Sequence, residues 1–251
     1  MVAIKTIRVR GVPVAIAGDE SDIYFQRLDA DVTNELLFSI VATQLPGDAV
    51  VLDIGANIGV TCAGIAKLLS KAYVCAFEPS PHAWPLLNET LRINGLEDRC
   101  QAFQVGLGAQ PGHVRFFENT TSTTASHLDP EGDCVIALTT IDLFVADRGL
   151  RRLDLIKIDV EGFDIDVIDG AEVTLARFRP MVFLEFNSFA LVTFRNLNPR
   201  TAIEKLVRTF TNVLRSHQGE LVPIRSPGDI VNFLHTNMTA HSCVDDLLCL
   251  P

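Results

Sequence analysis

The order of apolar and polar residues along the chain alternates between two kinds of repeat. From residue 49 onward, short apolar runs that suit buried strands alternate with stretches in which apolar residues recur every three or four positions. This alternation predicts an α/β fold with a mostly parallel sheet and helices on both faces. The predicted strands are 49–53, 72–77, 101–105, 153–159, 181–186, 212–216, 230–235 and 246–250, and the predicted helices are 58–70, 81–93, 140–148, 165–178 and 199–210.

Two regions depart from this alternation. Residues 3–26 predict two or three short strands that turn at Gly11 and Gly18, and an apolar helical face follows at 33–45. After the third strand of the sheet, two β-like pieces at 112–118 and 133–140 bracket a Thr/Ser-rich connection, which predicts an inserted hairpin. We therefore expect residues 1–48 to form strands and a helix that pack on a single globular unit formed by residues 49–251.

Composition and charge narrow the class of protein. The 251 residues carry a formal net charge of -10, which disfavours broad affinity for nucleic acid. The longest apolar runs are too short for a membrane span, and the first 20 residues lack the pattern of a signal peptide. The six cysteines include no C-x-x-C pair, which favours a reduced, cytoplasmic setting.

The residues that end the predicted strands are the candidates for chemistry. In open parallel sheets, ligands bind outside the carboxyl ends of the strands. The residues at these ends are Asp53, Glu78, Gly106, Asp159 and Glu185.

The first strand leads into a glycine turn that indicates an adenosine-containing cofactor. The turn is Asp53-x-Gly55-x-Asn57-x-Gly59, and Glu78 ends the next strand, where it can accept the hydroxyls of a ribose. The dinucleotide pattern G-x-G-x-x-G is absent, as is the G-K-[ST] of a P-loop. Asp53 would repel phosphates but attract S-adenosylmethionine, which carries a sulfonium and an ammonium. The second candidate enzyme class is a nicotinamide oxidoreductase. The alternative for Asp53 is a purely structural role in which it caps the turn.

Four sequence blocks carry a resemblance to a known family. They are "VLDIGANIG", "AFEPSP", "LTTIDLF" and "DLIKIDVEGFDIDVIDGAEVTLARFRPMVFLEFN", in that order. The chain resembles the FkbM-type family of class I S-adenosylmethionine-dependent methyltransferases over roughly residues 49–187. The resemblance implies a Rossmann-like, seven-stranded sheet with an antiparallel last strand. It also implies methyl transfer to a hydroxyl, usually on a sugar or a natural product.

The resemblance also implies where the cofactor lies. The turn from Asp53 to Gly59 would surround the methionine part, Glu78 would hold the ribose, and Pro79 and Ser80 would lie beside the adenine. The full set of expected cofactor contacts is Asp53, Gly55, Asn57, Gly59, Glu78, Pro79, Ser80 and Asp159.

Methylation of a hydroxyl needs a group that takes its proton. Asp159 and Glu161 follow the fourth strand and Glu185 ends its neighbour, so three acids are expected to meet. Together they could act as a base or hold a divalent cation, although no metal ligands are assigned. Structural roles remain open, with Glu161 bonding turn amides and Glu185 capping the sheet end. His127, in the polar stretch, is a second candidate base or an ordinary loop histidine.

The predicted acceptor is a hydroxyl of a small molecule or glycan. The motifs that amino-group and pyrimidine-ring methyltransferases use are absent, and the net charge disfavours nucleic acid. Two alternatives remain: a catalytically weak S-adenosylmethionine-binding module of a larger biosynthetic assembly, and methylation of an RNA or protein target. A homodimer is a further open expectation.

Overall fold

The computed structural model describes residues 2–28, 35–217 and 220–251. The strands are β1 (Val2–Val9), β2 (Val12–Asp19), β3 (Val50–Ile54), β4 (Tyr73–Phe77), β5 (Cys100–Phe103), β6 (Gly106–Leu107), β7 (Gly112–Phe117), β8 (His127–Leu128), β9 (Cys134–Thr139), β10 (Leu155–Ile158), β11 (Met181–Asn187), β12 (Asn212–His217), β13 (Glu220–Ile224) and β14 (Val244–Leu250). The helices are α1 (Ile23–Arg27), α2 (Glu35–Gln44), α3 (Val60–Leu68), α4 (Ala83–Ile93), α5 (Ile141–Asp147), α6 (Asp164–Asp169), α7 (Glu172–Phe178), α8 (Ser188–Thr193), α9 (Pro199–Thr209) and α10 (Pro227–Ala240).

The central sheet confirms the predicted α/β class. Its strand order is β13-β12-β14-β11-β10-β3-β4-β5, and β3, β4, β5, β10 and β11 run parallel. β14 lies antiparallel between β11 and β12, as the resemblance implied for the closing strand. Seven of these strands match the expected sheet, and β13 adds an eighth at the edge by pairing antiparallel with β12.

Helices cover both faces of the sheet because its strands are apolar on both sides. β10, for example, is buried along its whole length. One apolar cluster lies under α2, α3 and α4, and a second lies under α5, α6, α9 and α10. None of the described helices is both long enough and apolar enough to cross a membrane.

The N-terminal segment forms one hairpin that packs on the core. β1 and β2 pair antiparallel through a turn at Arg10 and Gly11, both with positive φ. Gly18 lies within β2 and does not turn the chain. A side chain at this position would overlap the ring of Phe25. The expected strand at the end of this segment is instead the helix α1. The described part of the predicted 33–45 helix is α2, and residues 33 and 34 lie outside the described residues.

The inserted hairpin is confirmed by the pairing of β7 with β9. β6 and β8 extend it into a four-stranded sheet beside the central one.

Two predicted elements are wrong. Residues 230–235 belong to the helix α10, which begins with a capping box between Ser226 and Asp229 and has a proline in its first turn. The single helix expected across 165–178 is split into α6 and α7 at Gly170. The backbone of Gly108 approaches this glycine so closely that a Cβ would lie 2.1 Å from the Gly108 carbonyl oxygen.

Candidate active site

A cavity of about 460 Å³ opens at the carboxyl ends of the parallel strands. This is the place where open α/β sheets bind ligands. Residues that follow β3, β4 and β10 line it from below, and α1 and the insertion line it from above. Most of the predicted site residues meet here: Gly55, Asn57, Glu78, Pro79, His127, Asp159, Glu161 and Glu185 line the cavity.

The glycine turn after β3 lets the backbone of a neighbouring segment approach closely. Gly55, Asn57 and Gly59 all have positive φ, and Gly59 is the N-cap residue of α3. A Cβ on Gly55 would lie 1.8 Å from the carbonyl oxygen of Asp159, so only glycine fits there. The turn is fixed to the neighbouring strand, because the amides of Gly55 and Ala56 both donate to the carbonyl of Phe77. It therefore presents a rigid, tightly curved backbone to the cavity.

Asp53 lies beneath the cavity and does not line it. It is fully buried on β3, beside Lys157 in the parallel register. The Lys157 ammonium is 3.4 Å from the carboxylates of both Asp53 and Asp159, and it donates to the Gly55 carbonyl at 2.9 Å. Burial works to lower the pKa of Lys157, but the charges of Asp159 and Asp53 outweigh burial and raise it. Lys157 is thus the structural partner that ties β3 to β10, and the cofactor role of Asp53 stays a prediction.

Glu78 places a buried carboxylate in the cavity at the end of β4. Its two oxygens accept the backbone amides of Asn57 and Ser80 at 2.8 and 2.9 Å. Burial raises its pKa to about 7 even though these two hydrogen bonds favour the charged form. Since each carboxylate oxygen has a second lone pair, Glu78 can still accept two hydroxyls.

Ser80 holds the start of α4 instead of lining the cavity. Its hydroxyl accepts the amides of His82 and Ala83 and donates to the Glu118 carboxylate at 2.6 Å. Ser80 thus satisfies two backbone amides at the start of α4, which begins at Ala83. Its expected place beside an adenine stays a prediction, as does that of Pro79.

The three acids meet as expected. Asp159, Glu161 and Glu185 have carboxylate oxygens within 4.8 Å of one another, which is close enough for one divalent cation to bind all three. Glu185 lies inside β11, one position after the Ile158–Leu184 pair, so it stands next to Asp159 on the same side of the sheet. Glu161 has φ +51 and Gly162 has φ +90, and this left-handed turn brings Glu161 back to the other two.

Neither structural alternative for these acids is met within the described residues. Asp164, not Glu161, accepts the amide of Gly162 in the turn. Among the residues that the structure describes, the one hydrogen bond of Glu161 comes from Asn187 at a long 3.5 Å, and the side chain of Glu185 accepts none. The three residues, which we call the acidic cluster, are thus short of donors.

Burial and mutual repulsion shift the acidic cluster toward its protonated form. Burial raises the pKa of Glu161 to about 8, and the charges of Asp159 and Asp164 add to the shift. Burial likewise raises the pKa of Glu185 well above its ordinary value, with Asp159 and Glu161 contributing. Acids with such pKa values at a cavity wall are suited to exchange protons near neutral pH.

His127 faces the same cavity from the insertion. Its ring stacks on Phe194 with centroids 3.7 Å apart, and its Nδ1 donates to the carbonyl of Ala125. In the neutral ring, this hydrogen bond leaves Nε2 as the acceptor. His127 therefore remains a second candidate base.

Three residues that contribute to the site were not identified from the sequence. Tyr24 and Arg27 of α1 line the cavity, and Glu118 fixes the start of α4. The available signal for α1 was Asp22, whose side chain caps the helix by accepting the amide of Tyr24.

Comparison with known proteins identifies the family. The methyltransferase FkbM domain matches residues 53–235. The chain is 29% identical over 191 residues to the 2-O-methyltransferase NoeI of Sinorhizobium fredii, covering 68% of this chain and 76% of that protein. It is 30% identical over 128 residues to the hexuronic acid methyltransferase AglP of Haloferax volcanii, covering 49% and 50%.

A solved structure shows the same fold. The methyltransferase FkbM from Methylobacillus flagellatus superimposes with a TM-score of 0.54 at 15% identity, covering 82% of this chain. The match spans 44% of that longer chain, so this protein corresponds to less than half of it. With the domain match across most of the chain, the protein belongs to the FkbM family and is a methyltransferase.

Proposed function

We propose that the protein is an S-adenosylmethionine-dependent O-methyltransferase that acts on a hydroxyl of a sugar, a glycan or a natural product. The observation that carries the proposal is the placement of the acidic cluster in the same cavity as the Gly55–Gly59 turn and Glu78. One cavity thus combines a wall suited to an adenosyl cofactor with groups suited to take a proton.

The residues of the cavity fit this cofactor better than a dinucleotide. Glu78 has lone pairs for ribose hydroxyls, and the buried Oδ1 of Asn57 has no hydrogen-bond partner among the described residues. Any carboxyl group of Glu78 or of the acidic cluster that is ionised disfavours a nearby phosphate, whereas the charge of Asp53 is offset by Lys157. A phosphate about 4 Å from one such carboxylate would cost about 4 kcal/mol at an effective dielectric near 20.

The chain's own residues supply orientation and proton transfer. When bound, S-adenosylmethionine supplies a methyl group on a sulfonium, which an oxygen nucleophile displaces. The acidic cluster would hold the acceptor hydroxyl, and one of its carboxylates would take the proton as the oxygen reacts. Because the pKa of Glu161 is about 8, the base form of this residue becomes populated as the pH rises through that value.

Two features support a hydroxylated, sugar-like acceptor. Thr124 and Ser126 of the insertion, which both carry hydroxyls, line the same cavity as the acidic cluster. Two relatives are named for methylation of a 2-O position and of a hexuronic acid. The net charge of -10 and the acidic cavity favour such a molecule over a nucleic acid.

The test is methyl transfer from isotopically labelled S-adenosylmethionine to a panel of sugars, uronic acids and hydroxylated natural products. The expected product carries the label on oxygen, as located by NMR. With the best acceptor, Glu161→Gln should lower kcat by about 100-fold or more, since a positioned base contributes at least that much. Glu172→Gln is the matched control, because Glu172 is exposed on α7 and outside the cavity, and its kcat should stay within about twofold.

Three results would count against the proposal. Label on nitrogen or carbon would contradict O-methylation. Full activity of Glu161→Gln would exclude Glu161 as the base and leave Asp159, Glu185 and His127 as the candidates. Turnover that is lost with EDTA and restored by Mg²⁺ would show that the cluster acts by holding a cation.

A further inference from the structure

The helix α1 forms part of the cavity wall. Tyr24 and Arg27 both line the cavity, and their three-residue spacing places them on one side of the helix. α1 precedes the region that the family domain matches, which begins at residue 53. The N-terminal segment thus contributes directly to the site.

Hydrogen bonds at both ends fix α1 in place. At its start, the buried Asp22 carboxylate accepts the hydroxyl of Thr123 at 2.8 Å, and the amide of Ile23 donates to the carbonyl of Thr121. At its end, the ammonium of Lys5 donates to the carbonyls of Phe25 and Gln26 at 2.8 and 2.7 Å. The helix is therefore tied to the insertion on one side and to β1 on the other.

The charges around the cavity are unbalanced. Among the described residues that line it, Arg27 and Lys157 carry the only permanently cationic side chains, against the carboxylates of Glu78 and the acidic cluster. Lys157 is already engaged by two carboxylates and by the Gly55 carbonyl. Arg27 makes no ion pair or hydrogen bond with any described residue, so its guanidinium is available to a ligand.

Arg27 lines the same cavity as residues 55–57 of the glycine turn. Burial raises the pKa of Tyr24 to about 12, and Lys157 and Asp159 are close enough to influence it. Lys157 in turn contacts Gly55. Arg27 lies one helical turn beyond Tyr24 and lines the same cavity in which the methionine portion of the cofactor is expected.

We propose that Arg27 binds the α-carboxylate of the cofactor's methionine portion, with Tyr24 covering the glycine turn beside it. This inference rests on the proposed function. A ligand carboxylate that enters a cavity with an excess of acids needs a counter-charge, and Arg27 is the unengaged cation among the lining residues described. Its planar guanidinium can donate two parallel hydrogen bonds to a carboxylate.

The test is a thermodynamic cycle in which the side chain of Arg27 and the carboxylate of the ligand are removed separately and together. Wild-type protein and Arg27→Ala are titrated by calorimetry with S-adenosylhomocysteine and with decarboxylated S-adenosylhomocysteine, which lacks only the carboxylate. Arg27→Ala should weaken S-adenosylhomocysteine binding by about tenfold or more, the usual effect of a lost charged hydrogen bond. Its affinity for the decarboxylated ligand should be unchanged or higher. Arg151→Ala, which removes another exposed arginine outside the cavity, should change neither affinity.

The outcomes separate the two proposals. If the wild type binds S-adenosylhomocysteine and Arg27→Ala binds it equally well, the inference is overturned and the proposed function stands. If Arg27→Ala weakens both ligands equally, Arg27 does not contact the carboxylate and the inference is again overturned. If the wild type binds neither ligand, the proposed function and the inference fail together.

Discussion

Two groups of polar side chains flank β11 and β14, and they differ in how far their hydrogen-bonding groups have partners. The first group is the acidic cluster of Asp159, Glu161 and Glu185, which has a single long hydrogen bond among the described residues. The second group, which we call the α10 network, contains Ser188, Asn237, Asp245 and His241. There the Ser188 hydroxyl donates to Asn237 at 2.5 Å, and Asn237 and His241 contact Asp245 at 2.8 and 2.6 Å.

The difference separates a structural role from a functional one. In the α10 network, each of these side chains has a partner, so the network ties α10 to the ends of β11 and β14. In the acidic cluster, three carboxyl groups crowd together with only a long contact from Asn187 and the ion pair with Lys157 among the described residues, which costs stability. Such a cost is typical of sites that are completed by a ligand. We therefore expect changes in the two groups to have opposite effects on stability and on binding.

Gly55→Ala should have the largest effect, because it removes the space that brings β3 next to the acidic cluster. The new Cβ would overlap the Asp159 carbonyl at a residue with φ +79. We expect a loss of about 3 kcal/mol or more in the free energy of unfolding, measured with urea, and loss of S-adenosylhomocysteine binding.

Gly11→Ala is the matched control for the overlap. Gly11 has φ +83, but no atom lies within 4 Å of a Cβ placed there. Only the backbone strain remains, which should cost about 1 kcal/mol and leave binding intact. Equal losses in the two variants would show that the close approach at Gly55 has no importance.

Asn237→Ala should break the α10 network without affecting the cavity. Asn237 is fully buried, and its removal takes one hydrogen-bond partner from Ser188 and one from Asp245. We expect the free energy of unfolding to fall by about 2 kcal/mol, with unchanged affinity for S-adenosylhomocysteine. A large loss of affinity would mean that the two groups are coupled, and the contrast between them would not hold.

Glu161→Gln should change how stability depends on pH. The pKa of Glu161 is about 8 in the folded protein against an ordinary 4.5, so between these values the folded state binds the proton more tightly. Raising the pH through this window therefore lowers the stability of the wild type. In thermal melts at pH 5 and pH 8, the decrease in Tm should be smaller for Glu161→Gln. A decrease as large as in the wild type would show that Glu161 is not held protonated.

Arg152→Ala should have the smallest effect and represents a third kind of polar contact. Arg152 pairs with Asp154 and Asp48 at the opposite end of the sheet, where these groups are partly exposed. Exposed ion pairs contribute little because water screens them. We expect a loss below about 1 kcal/mol in urea unfolding. A larger loss would mean that the pair anchors the start of β3, where Asp154 accepts the amide of Val50.

The sequence predicted the parts of the fold that follow from local pattern. Strand ends and the glycine turn are local features, and Asp159, Glu161 and Glu185 could be brought together because strand side chains alternate with a fixed period. The helix α10 was mistaken for a strand because Ile230 and Val231 favour strands, although the cap at Ser226 and Asp229 marks a helix start.

The remaining features depend on contacts between distant segments. The burial of Asp53 follows from its register with Lys157, which no local pattern reports. The place of Arg27 follows from hydrogen bonds that join α1 to residues about 100 positions away, such as that between Asp22 and Thr123. These features decide the charge of the cavity and are visible only in the folded chain.

We propose that the cavity accepts an adenosyl cofactor and disfavours phosphates because the carboxyl groups that line it outnumber the cationic side chains. The most direct measurement is a calorimetric titration of the wild-type protein with S-adenosylhomocysteine and, in parallel, with NAD. We expect binding of S-adenosylhomocysteine at micromolar concentration, on the order of -8 kcal/mol, and no detectable heat with NAD. Binding of NAD without binding of S-adenosylhomocysteine would contradict this proposal.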